Sequence, residues 1–329
     1  MPVGQNAASM ETAGVSSTST TVVGAERERP RMDPPNVLWF FGAFAIGFAS
    51  IAVINKVPES NRDVWELLVS LAFFAVYAVG AAVFLRAGWW IPGGLSAAIA
   101  VAIVPAIGYG ITKLIGTLPT NPDFAPFQKP SWSYWLIGLG TIFVGLVAFA
   151  LTRFPFIFFT VTLATAITAH FFLPVVKDNP GADAHLVTAI IVGAALVAIG
   201  LLLDLAGRRR DAFWFHVIGF FGIAFALAFY ATGFSGDSNR GWVPMIIAGG
   251  VVLLASAPLR RGTWTLYGVL GFYAAIFHWL SNGINASSTG YALLLLAIGA
   301  SIFGLGLALH RYGRVWPRDR PVAPPPAAP

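Results

Sequence analysis

Two apolar stretches of helix length, 186–206 and 212–233, are joined by Gly207-Arg208-Arg209-Arg210-Asp211. Three consecutive arginines cannot rest in hydrocarbon, so this segment is a turn at a membrane face. The excess of basic residues in short turns marks the cytoplasmic side, which orients the whole chain. With 57% apolar and only 10% charged residues, the chain has too little polar surface to cover one soluble core of this size. The fold expected is all-α: a polytopic transmembrane bundle.

A spanning helix needs about 20 apolar residues. Ten stretches qualify: 37–55, 64–85, 92–114, 133–151, 154–176, 186–206, 212–233, 242–258, 263–281 and 289–309. The last two are divided at Ser281-Asn282-Gly283-Ile284-Asn285, rich in turn formers. On this topology fourteen of the 20 basic residues fall on the side of Arg208–Arg210 and six on the other. Both termini are therefore expected in the cytoplasm. Tryptophans near the proposed helix ends, among them Trp90, Trp135, Trp214 and Trp264, suit the interface because indole is apolar with one donor. Short turns at Arg86–Ile91, Arg153, Gly207–Asp211 and Pro258–Gly262 predict antiparallel hairpins. The basic turns at Arg153, Arg209 and Arg261 stand 56 and 52 residues apart, the spacing of a repeated hairpin or simply of evenly sized helices.

Residues 1–34 read as a disordered cytoplasmic tail, 35–312 as the transmembrane domain, and 313–329 as a Pro-rich disordered tail. The first apolar run lies too far from the start for a cleaved signal peptide. The tails offer contact points for protein partners. The lipid bilayer is the partner that composition requires. Nucleic acid is not expected, because the basic residues sit at helix ends and in tails rather than on one soluble face. The chain has no cysteine, which excludes disulfides, thiolate metal sites and cysteine nucleophiles.

Trp90-Ile91-Pro92-Gly93-Gly94-Leu95 leading into Val101-Ala102-Ile103-Val104-Pro105, then Arg153-Phe154-Pro155-Phe156 and Arg209-Arg210-Asp211-Ala212-Phe213-Trp214, form a succession that resembles a group of uncharacterised bacterial polytopic membrane proteins known only as a domain of unknown function. The likeness covers about residues 87–312. It implies location in the bacterial inner membrane and carries over no site residue.

Ionisable and polar groups inside the spans are the candidate site. Pro105, Tyr109 and Lys113 share one stripe of helix 3. A kink at Pro105 opposite that stripe suits a cavity, while a snorkelling Lys113 is the plainer reading. His170 in helix 5 and His278 in helix 9 lie at similar depth, with Asn282 one turn beyond His278. With His185 they are either a ligand set or interhelical hydrogen-bonding groups. Asp204 stands one turn before Arg208 and is expected to pair with it. His216 joins them, and Asp204, Arg208, Arg209, Arg210 and His216 are read as a cytoplasmic anchor. No phosphate loop, zinc-protease motif or nucleophile–base pair is evident, so neither an enzyme nor a cofactor is expected.

These features leave a multi-pass inner-membrane protein of unknown, non-enzymatic activity. The alternative is a secondary transporter of a small metabolite, resembling the drug/metabolite transporter superfamily, built from five-helix halves at 37–176 and 186–309 with a cavity between them.

Overall fold

The computed structural model describes residues 34–118, 127–233, 240–281, 284 and 288–313. The tails and Asn282 fall outside this set, apart from the residues at the tails' inner edges. Among the described residues the fold is ten helices and no strand. They are α1 (Pro34–Ile54), α2 (Arg62–Arg86), α3 (Trp90–Leu114), α4 (Trp132–Thr152), α5 (Ile157–Val176), α6 (Ala182–Leu205), α7 (Arg209–Thr232), α8 (Trp242–Leu259), α9 (Gly262–Ser281) and α10 (Thr289–Gly313). Nine are long and apolar enough to cross a membrane. The exception is α9, whose threonines, tyrosines and glycines dilute its hydropathy.

Each short turn reverses the chain at a left-handed residue: Gly88, Arg153, Gly207 and Arg260. Glycine adopts this conformation freely. At two of the four turns the backbone then closes a 6→1 hydrogen bond, Trp89 N to Phe84 O and Arg208 N to Leu203 O, both 2.8 Å. Arg153 and Arg260 bear roughly 1 kcal/mol of strain instead. Both cap a helix C-terminus, where a cation meets the negative end of the dipole.

Several boundaries differ from expectation: α1 starts at Pro34 rather than 37, α6 at Ala182 rather than 186, and α10 runs to Gly313 rather than 309. Helix α5 starts at Ile157 rather than 154, because Arg153 is left-handed and Phe154 precedes a proline. Helix α7 starts at Arg209, so two of the three arginines form its first turn. The tight reversal at Gly207 leaves no room for a longer loop.

The four hairpins α2–α3, α4–α5, α6–α7 and α8–α9 are the most closely packed pairs. They stack in a row. Helix α3 touches both helices of the next hairpin, α5 both of the one after, and α7 both of the last. Odd helices form a continuous inner layer, with α1 and α10 at the ends. No helix packs extensively on one more than two places away in sequence, among the described residues. The seams rely on glycine. A Cβ on Gly193 would lie 2.5 Å from the Gly219 carbonyl, and one on Gly219 would lie 2.6 Å from the Gly193 carbonyl. These helices approach backbone to backbone, as helices do where lipid provides no hydrophobic drive. Large side chains such as Leu151, Leu205 and Leu254 stand about 80% exposed on the outer layer. In water such a surface would aggregate; in lipid it is the solvated face.

Candidate functional site

Polar side chains gather on both faces of the row, where the helices end. On the face opposite the arginine turns, a cavity of about 660 Å³ runs between α2, α3, α4 and α5. Its mouth carries Asn55, Arg62 and Glu66, and its depth reaches Pro105, Thr141 and Ala164 near the middle of their helices. Pro105 has no N–H, so the Val101 carbonyl lacks its helical donor. Tyr109 and Lys113 continue the same stripe along the cavity wall. The Lys113 ammonium pairs with the Asp63 carboxylate and stands 3.8 Å from Glu66. Glu66 in turn accepts from Arg62 Nε at 2.7 Å. Lys113 thus does not simply snorkel to water. It joins a four-membered network of two cations and two anions.

Deeper in, Thr141 and Thr168 donate to the Ile137 and Ala164 carbonyls at 2.8 and 2.6 Å. Their oxygens keep acceptor capacity toward the cavity. Gly138 is required opposite Thr168, whose side chain fills the space a Cβ would take. Below this level the helices close. Val101 is buried, a Cβ on Gly145 would meet Val161, and Phe149 packs on Phe158 with centroids 4.2 Å apart. The cavity is therefore open on one side of the row and shut toward the arginines.

The histidines divide. His170 and His185 meet, Nδ1 to Nδ1 at 3.1 Å, and His185 Nε2 contacts the Phe127 carbonyl at 2.9 Å. A carbonyl only accepts, so Nε2 of His185 donates, and one of the two Nδ1 atoms must carry a proton for the other to accept. His278 does not join them; its ring stacks on Trp242 at 3.9 Å. No group of three or more His, Asp or Glu able to hold a metal ion occurs among the described residues.

On the arginine face, the expected pair of Asp204 with Arg208 does not form. Arg208 turns to Asp211, Nε to Oδ2 at 2.8 Å. The Asp204 carboxylate is held by His216 Nε2 at 3.0 Å and by Arg261, through Nε at 3.0 Å and also through the other guanidinium nitrogen. Arg261 additionally donates to the Arg209 carbonyl at 2.9 Å. The reason is helical geometry: Asp204 faces α7 and the α8–α9 turn, while Gly207 swings Arg208 away. His216 is fully buried. Its Nε2 must donate, because an ionised carboxylate only accepts, which leaves Nδ1 as a buried nitrogen without a partner among the described residues. Gly200 makes room for the ring; a Cβ there would stand 2.8 Å from His216 Cε1. Trp264 closes the other side edge-on at 5.5 Å. Burial lowers the Arg261 guanidinium from its ordinary value, yet arginine stays protonated throughout any working range.

Asp63, Arg62 and Arg261 were not among the expected site residues. Asp63 and Arg261 act across helices, on partners 50 and 57 residues away, which no periodicity reports, whereas Arg62 pairs with Glu66 at i, i+4 within α2. A charge at matching depth on a neighbouring span is the signal that points to Asp63.

No known protein family, curated protein or solved structure matches the chain.

Proposed function

We propose that this multi-pass membrane protein is a non-enzymatic carrier that binds a small polar solute in the cavity between α2 and α5. One observation supports the reading: a cavity of about 660 Å³ descends from the Lys113–Asp63–Glu66–Arg62 network to mid-helix and ends on a packed floor. That is the form of a binding chamber accessible from one side. Two cations and two anions at the mouth suit a zwitterion or a neutral polar molecule better than a strongly charged one. With the arginine turns on the cytoplasmic side of a bacterial inner membrane, the chamber faces outward. Membership of the uncharacterised polytopic group named above belongs to the same reading.

The cavity lies wholly within the first five helices rather than between two halves. The carrier proposed is thus a row of hairpins with one chamber, not an inverted pair. The glycine-packed hairpins α6–α7 and α8–α9 favour a rigid structural role for the other half.

The natural absence of cysteine provides the test. Ala164→Cys lines the chamber, while Leu146→Cys, at similar depth on α4, faces outward. A membrane-impermeant thiol reagent added outside intact cells is expected to modify the first and spare the second. Equal, slow modification of both would remove the chamber, and the carrier reading with it.

A further inference from the structure

We propose a binding site for one anionic phospholipid on the arginine face, between α1, the α4–α5 turn and the start of α7. It is separate from the solute chamber and does not depend on the carrier reading.

Two hollows adjoin there. The first, about 620 Å³, is lined by Arg153, Arg208, Arg209 and Arg210, with Asp211 its one acid. Asp211 is taken by Arg208. The side chains of Arg153, Arg209 and Arg210 form no ion pair among the described residues. Three arginines from two separate turns therefore line one space whose single acid is already paired. The second hollow, about 830 Å³, shares Trp90, Pro155, Arg209 and Arg210 with the first. From that shared edge it runs along aromatic side chains of α1 and α7. Phe156 forms its floor, edge-on to Trp214 at 5.1 Å and to Phe40 at 5.6 Å. Phe41 stands 72% exposed on its wall.

A basic chamber continuous with an apolar groove at a helix-end boundary matches the chemistry of a phosphodiester headgroup with an acyl chain. A free anion leaves the groove empty, and a neutral lipid leaves the arginines unpaired. The turns that carry the arginines belong to two hairpins, so the lipid joins α4–α5 to α6–α7 where α1 leaves a gap.

The test is retention of lipid by the purified full chain, read by native mass spectrometry. Protein is taken from nanodiscs of mixed phosphatidylglycerol and phosphatidylcholine. The expected result is one phosphatidylglycerol kept per chain in preference to phosphatidylcholine. The Arg153→Gln/Arg209→Gln/Arg210→Gln variant should weaken retention by about tenfold or more. Phe41→Ala, on an exposed side chain that folding does not need, should weaken it without changing the charge. Arg86→Gln/Arg311→Gln removes two arginines from the same face outside the hollows and should leave retention unchanged. Equal loss in the triple and the Arg86/Arg311 variants would mean general surface charge and overturn the site. Equal retention of the two lipids would overturn it as well. Displacement by glycerol phosphate alone would replace the lipid with a free phosphate ligand. If the triple variant unfolds, Phe41→Ala decides: undiminished retention there refutes the groove.

Discussion

Asp204 and Arg261, 57 residues apart in the chain, close one carboxylate–guanidinium contact across the joint between the α6–α7 and α8–α9 hairpins. Both are mostly buried, with side chains 11% and 14% exposed. Removing one partner leaves the other charge stranded at the edge of hydrocarbon. Asp204→Asn or Arg261→Gln should each cost about 3 kcal/mol. The double variant should cost less than the sum. Unfolding in detergent, analysed as a double-mutant cycle, measures the coupling; strict additivity would show that the contact contributes nothing.

The seams between helices depend on what glycine omits. Gly200→Ala pushes a methyl into the His216 ring and should destabilise by about 1–3 kcal/mol. Gly193→Ala sets a methyl against the Gly219 carbonyl, where backbone rather than a side-chain end must move, and should cost more. Gly42→Ala, with nothing within 4 Å, should be silent or slightly stabilising. Thermal midpoints should be highest for Gly42→Ala, lower for Gly200→Ala and lowest for Gly193→Ala.

How much of this was legible beforehand follows from the range of each interaction. The ten helices and the short reversals are written in local hydropathy and in Gly88, Arg153, Gly207 and Arg260. Their ends fell within a few residues of expectation, the larger errors being at the starts of α5, α6 and α7 and at the end of α10. Proline restriction and the left-handed turn decided those at α5 and α7. The stripe Pro105–Tyr109–Lys113 was also visible, because helical spacing alone aligns it. What faces that stripe was not. Asp63 and Glu66 belong to another helix, and only packing sets their depth against Lys113. The same holds for Asp204: i, i+4 spacing pointed to Arg208, but orientation around the helix gave it to Arg261. His170 and His278 shared a depth without sharing a neighbourhood, since depth is one coordinate of three.

The His170–His185 contact needs at least one ring to present a bare nitrogen. His185→Ala removes the donor to the Phe127 carbonyl. Amide exchange around residue 127, measured at one neutral pH, should be faster in that variant than in the native chain. Equal protection of the two would show that the pair does not hold the segment.

The arginine turns set the topology. Single cysteines at Arg29 and Arg209 should react with an impermeant reagent only in inverted vesicles, and one at Lys129 only in intact cells. Labelling of 29 and 209 from opposite sides would require an odd number of crossings between them.

A row in which, among the described residues, helices pack mainly on near neighbours in sequence has a consequence for synthesis. Each pair of spans can settle against the preceding pair as soon as it leaves the ribosome, without waiting for distant segments. Asp204 is the exception. From the moment its helix inserts until residue 261 is made, that carboxylate lacks its guanidinium. The last hairpin thereby acts as a latch on the nascent protein, completing a contact that until then rests on His216 alone.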